Sequence, residues 1–131
     1  MSDVDQDLSG VRVVIVGGDR ECLQVAGLSL EMKGAAVRCA TSREQGLEQL
    51  GAFEPHVVVC DLSGSDDQFN LVPHLAGGPR TVALTRFSEG HPRGIPDGFD
   101  VLVDRQRDMD LLASMVASVI GRQPGSGPAG S

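Results

Sequence analysis

Four short apolar runs in this chain end in residues that can do chemistry. Val13 to Val16 is followed by Gly17-Gly18-Asp19, His56 to Cys60 by Asp61, Thr81 to Leu84 by Thr85, and Val101 to Val103 by Asp104. A glycine pair ahead of a helix can cradle phosphate, a carboxylate can hold a metal or attack as a nucleophile, and a hydroxyl can donate to an oxyanion. A dinucleotide site fits poorly. Its fingerprint spaces the glycines as G-x-G-x-x-G, whereas Gly17 and Gly18 are adjacent, and Asp19 and Glu21 would meet the phosphate with like charge. There is no P-loop lysine. Catalysis by Asp61 needs a polarising cation or an acid partner, yet no lysine follows a neighbouring run and no Ser–His–Asp ordering stands out. A small α/β enzyme or nucleotide-binding domain is therefore the remote alternative.

The elements that must position these residues follow from periodicity. The run Val11 to Val16 is mostly apolar and rich in β-branched residues, consistent with a strand buried on both faces. Leu23, Ala26, Gly27 and Leu30 then repeat at helical spacing, and Gly34 sits where a C-terminal glycine commonly ends a helix. A second strand spans Ala36 to Ala40. Capping-box spacing at Ser42/Gln45 or Thr41/Glu44, with Leu47 and Leu50 beyond, predicts a second helix. Phe69, Val72 and Leu75 predict a short third helix, because Pro73 is tolerated only in a first turn. Between Arg86 and Gly98, three glycines and two prolines leave room for a short helix or none. Leu112, Met115, Val116 and Val119 mark a final helix, with Asp108 or Asp110 near its start. Strands alternating with helices imply a parallel sheet with right-handed crossovers, and ligands bind outside the carboxyl ends of such strands.

Composition narrows the function classes. At 131 residues with 40% hydrophobic content, the chain has room for one domain with a proper core. The only aromatics are four Phe, so that core must be mainly aliphatic. A formal net charge of −7 argues against nucleic-acid or anionic-membrane partners. No apolar stretch is long enough to span a bilayer, and the acidic start MSDVDQDLSG is unlike a signal peptide, so the cytoplasm is the expected location. Cys22, Cys39 and Cys60 lack metal-type spacing and read as buried, reduced thiols. His56, His74 and His91 are scattered and read as solvent-facing or loop residues. Residues 1–10 are expected to be a flexible tail, 11–121 the folded domain, and 122–131 a Gly/Pro/Ser tail or linker.

The stretch PHVVVCD ending in Asp61, ALT ending in Thr85, VRVVIV, the helix closing on Gly34, and FDVLVD before an amphipathic helix together resemble the receiver domain of two-component response regulators. The resemblance runs over roughly residues 11–121. It implies a flavodoxin-like, CheY-like α/β fold with a five-stranded parallel sheet in the order 2-1-3-4-5 and helices on both faces. In that family the aspartate after the third strand accepts a phosphoryl group from a histidine kinase. Mg²⁺ is held there by that aspartate and an acidic pair after the first strand. A lysine after the fifth strand, a Thr or Ser after the fourth and an aromatic on the fifth read out the phosphoryl group.

Transferred residue by residue, the resemblance makes Asp61 the phosphoacceptor and Thr85 the switch hydroxyl. The acidic pair falls on Gly17 and Gly18, the lysine on Asp104, the next proline on Arg105, and the aromatic near Val101. Leu62-Ser63-Gly64-Ser65 lacks the Met-Pro usual after the acceptor. Mg²⁺ is then expected to bind weakly, through Asp61 with Asp19 as second ligand. The implied function is an atypical receiver in two-component or phosphorelay signalling, without enzymatic activity of its own. It would work either as a phosphorylation-independent or weakly phosphorylated interaction module or as a switch phosphorylated on Asp61. Its partners would be a histidine kinase or another signalling protein, and a downstream output domain or protein. Read without the resemblance, Asp61 is a capping or loop aspartate and Thr85 a strand-end hydroxyl satisfied by backbone.

Overall fold

The computed structural model describes residues 7–62, 69–75, 78–85, 98–104 and 109–121. Ser63-Gly64-Ser65, Arg86 to residue 97 with His91, Arg105, Asp108 and the 122–131 tail lie outside the described residues, as do residues 1–6.

The β-branched runs form strands β1 (Arg12–Val16), β2 (Ala36–Ala40), β3 (Val57–Asp61), β4 (Arg80–Thr85) and β5 (Val101–Asp104). They assemble into one sheet in the order β2-β1-β3-β4-β5, every pairing parallel. This is the expected flavodoxin-like order. Side chains alternate between the two faces of each strand. Val13, Ile15, Val57, Val59, Val82 and Leu84 therefore build one core, and Val16, Val58, Cys60 and Ala83 build the other.

Helix α1 (Arg20–Glu31) buries Leu23, Ala26, Gly27 and Leu30, the stripe read from the sequence. It shares its side of the sheet with α3 (Leu112–Val119), which buries Leu112, Ala113, Val116 and Ala117. Helix α2 (Arg43–Phe53) covers the opposite face with Leu47 and Leu50. At its start the Ser42 hydroxyl accepts from the Gln45 backbone N–H at 3.1 Å, while the Gln45 Oε1 accepts from the Thr41 backbone N–H at 2.9 Å. The cap thus uses Ser42 and Gln45, with Thr41 as the reciprocal partner.

Three expectations need correction. Residues 7–10 belong to the packed fold rather than to a tail. Leu8 is fully buried and donates its backbone N–H to Lys33 O at 2.7 Å, beside Gly34, whose φ of +104° suits glycine. The third helix is a single 3₁₀ turn, Val72–His74, with Pro73 in its first turn, where a missing N–H leaves no helical bond unmade. The final helix starts beside Asp110, as expected, with Asp110 in a preceding 3₁₀ turn, Met109–Leu111, and Leu111, which makes no side-chain cap bond, at the cap position. Of the cysteines only Cys60 is buried; Cys39 is exposed on edge strand β2 and Cys22 is intermediate. His56 and His74 are exposed, as expected, although His56 Nδ1 accepts from the Arg12 backbone N–H at 2.9 Å.

Candidate functional site

The parallel sheet brings Gly17, Asp61, Thr85 and Asp104 to its carboxyl edge, as the spacing required. Asp61 is the last residue of β3, register partner of Leu84, and its side chain is 4% exposed. Thr85 ends β4 directly opposite Asp104, which ends β5 and is 1% exposed. Two carboxylates are therefore buried in the row, with the Thr85 strand between them. Val101 opens β5 opposite Val82 and is partly buried against the core on the α1–α3 side.

The backbone at the glycine pair is tightly packed by its neighbours. A Cβ at Gly17 would lie 2.7 Å from Asp61 Cβ and 3.2 Å from Leu23 Cδ2. Because Asp61 Cβ is fixed to the strand, no rotamer change can relieve that approach, and β1 passes β3 here at a distance only glycine allows. A Cβ at Gly18 would lie 3.3 Å from both Cε2 and Cζ of Phe69. The Phe69 ring is itself packed against the core on the α2 side. Thus the direction in which a side chain would leave position 17 is filled by Asp61 itself, and at position 18 by an aromatic ring.

Asp19, the second candidate ligand, serves as the N-cap of α1, where its Oδ1 accepts from the Cys22 backbone N–H at 3.2 Å. That role follows from its extended backbone and from the orphan donors of the first turn. Among the described residues no group of three or more His, Cys, Asp or Glu gathers at metal-binding distance. Hard divalent cations take oxygen ligands. Gly17 and Gly18 contribute no side-chain oxygen, and Gly17 is pressed against the Asp61 methylene. The described residues do not fit a receiver-type Mg²⁺ site.

Thr85 differs from the backbone-satisfied hydroxyl the sequence left open. Its Oγ1 is buried and has no hydrogen-bond partner among the described residues. A buried hydroxyl without a protein partner is costly, and it marks a place where a water, an ion or a ligand can bind. Cys60, just before Asp61, has its thiol pushed up to about 11, mainly by burial; the negative charge of Asp61 adds to this and a hydrogen bond with the Leu71 backbone opposes it. It is a neutral core residue rather than a nucleophile.

Phe69 was missed as a site residue. In sequence it fits the apolar spacing of Val72 and Leu75, and its place over Gly18 arises only from tertiary contact. The one available signal was its position in the segment after Asp61, in a chain with four aromatics. Two adjoining clefts of about 390 and 440 Å³ lie at the other end of the sheet, beside Pro55, Leu75 and Pro79. Among the described residues no helix is long and apolar enough to cross a membrane.

No protein-family model and no curated protein matches the sequence. Solved structures do match. A response regulator receiver protein from Burkholderia phymatum is 21% identical, with a TM-score of 0.72 over 88% of this chain and 99% of that one. A CheY-like receiver domain from Methylobacillus flagellatus is 20% identical, with a TM-score of 0.68 over 83% and 98%. The BeF3-activated receiver domain of DrrB, a Thermotoga maritima protein, is 19% identical, with a TM-score of 0.69 over 86% and 98%. The chain has the fold of the CheY-like response regulator receiver domains.

Proposed function

We propose that this chain is an atypical receiver domain of two-component or phosphorelay signalling that works as a phosphorylation-independent interaction module. The observation that carries this reading is the approach of Gly17 to Asp61, 2.7 Å from a virtual Cβ to Asp61 Cβ. A phosphoryl group on a carboxylate brings several negative charges that need neutralising. Beside Asp61 there is no second carboxylate at positions 17 or 18 to recruit a cation, and the lysine position holds the buried acid Asp104. A cation at this position would attract the phosphoryl charge, and a like charge reverses that sign. Mg²⁺ is accordingly expected to bind weakly, and the chain to have no enzymatic activity of its own.

Its partners in this reading are a histidine kinase or another signalling protein, and an output domain or downstream protein, met in the cytoplasm. Neither nucleic acid nor membrane suits the acidic chain. The test is a partner captured from cells of the source organism. Asp61→Asn keeps the shape and removes the acceptor, so capture and signalling output should be unchanged. Loss of both, alongside phosphorylation of Asp61 by a kinase, would refute the module.

A second reading, in which Asp61 is a phosphoacceptor and the domain a switch, is favoured by one observation: the partnerless, buried Thr85 hydroxyl on the neighbouring strand. A phosphoryl oxygen on Asp61 would satisfy it. The cost of Asp104 and the loss of an aromatic at Val101 leave that hydroxyl with little to couple to. A ligand shifts a conformational equilibrium only by its differential affinity for the two states.

A further inference from the structure

We infer that Phe69 and Gly18 form a matched pair, a ring seated on bare backbone, which bars divalent cations of the Mg²⁺ class from the edge of the sheet beside Asp61. The inference rests on the reading of that edge as a receiver-type pocket and names what keeps it shut. The ring edge reaches 3.3 Å, by two atoms, from where any side chain at position 18 begins. It is anchored rather than loose, because it packs against the cluster of Val16, Val58, Cys60 and Leu71. A hard cation retains several waters and binds through oxygens, so hydrocarbon at this spot removes both a ligand position and the room for hydration. Gly17 cannot substitute for Gly18, since its side-chain direction is taken by Asp61 Cβ. Position 18 is thus the one place in the pair where a carboxylate could be restored, and Phe69 is what such a carboxylate meets first.

The pair acts as a unit, so its test is a double-mutant cycle. Mg²⁺ is titrated into the wild-type chain, Gly18→Asp, Phe69→Ala and the double variant, following the backbone amides of Asp61 and Leu62 by NMR. The double variant should bind Mg²⁺ saturably and at least about ten-fold more tightly than Gly18→Asp alone, because only there do two carboxylates meet without the ring. Phe69→Ala alone should bind as weakly as the wild type. Equal affinity of Gly18→Asp and the double variant would overturn the inference, as would a folded double variant that binds no better than wild type. Should the alanine variant lose its dispersed spectrum, Phe69→Leu with Gly18→Asp keeps the core contact while trimming the ring edge, and the same two outcomes decide. Phosphorylation of wild-type Asp61 would instead refute the proposed function, whereas the cycle's affinities judge the pair itself.

Discussion

The carboxyl edge of the sheet has two unlike halves. The β1–β3 side is closed by contact: Gly17 lies against Asp61 and Gly18 under Phe69. The β4–β5 side is polar, with a buried Thr85 hydroxyl that has no hydrogen-bond partner among the described residues opposite a buried Asp104. In the first half the constraint lies in the approach of one backbone to another, and in the second it lies in side chains on a parallel strand pair. In the proposed reading the first half closes the edge sterically, and the second opposes a phosphoryl group electrostatically.

The largest effect expected from breaking this contrast lies at Gly17. Gly17→Ala places a methyl 2.7 Å from Asp61 Cβ, which the fixed strands must absorb. Overpacking of this kind costs about 1–3 kcal/mol, and Gly17→Asp should cost more while leaving Mg²⁺ binding weak. Urea denaturation of both variants measures it. A Gly17→Asp protein as stable as wild type and binding Mg²⁺ tightly would show that the β1–β3 side is not sterically closed.

Comparable in size to the Gly17→Ala effect is a pH effect from Cys60. Its folded-state value, raised to about 11 from the ordinary 9.0, means that the folded state holds the proton more tightly than the unfolded state. The stability it contributes is full below pH 9.0 and is lost as pH climbs toward 11, by roughly 2–3 kcal/mol in total. Denaturation midpoints across that window, compared with Cys60→Ala, isolate the term. In the same window the exposed Cys39 should be alkylated well before Cys60, although partial burial and then Glu31 also raise its thiol.

The smallest effect belongs to the β4–β5 side. Thr85→Val exchanges a partnerless buried hydroxyl for a methyl of the same shape, so stability should change by less than about 1 kcal/mol, toward the stable side. A loss of 2 kcal/mol or more, larger than a typical net hydrogen bond, would mean that Thr85 Oγ1 is bonded in the resting protein. That would make the two halves alike.

Much of this was legible in the sequence. The β-branched runs, the α1 stripe from Leu23 to Leu30 and the short connections were enough to order the sheet and to carry Asp61, Thr85 and Asp104 to one edge. These are local patterns, and parallel topology converts them into a site without further information. The Gly17-Gly18 pair was legible as two positions without side-chain ligands but not as a close approach, because the distance to Asp61 Cβ depends on how β1 and β3 pair. Phe69 and Leu8 were misjudged for the same reason: each is fixed by partners distant in the chain. Pro73 limited the third helix correctly in kind, and the outcome was shorter still.

The most direct test of the account is the reaction of Asp61 itself. The folded chain is incubated with phosphoramidate or acetyl phosphate and saturating Mg²⁺, and the intact mass is followed with Asp61→Asn as the control. The account predicts no phosphoryl adduct on the wild-type chain above that control. A stoichiometric adduct that Asp61→Asn abolishes would contradict it and make the domain a working switch.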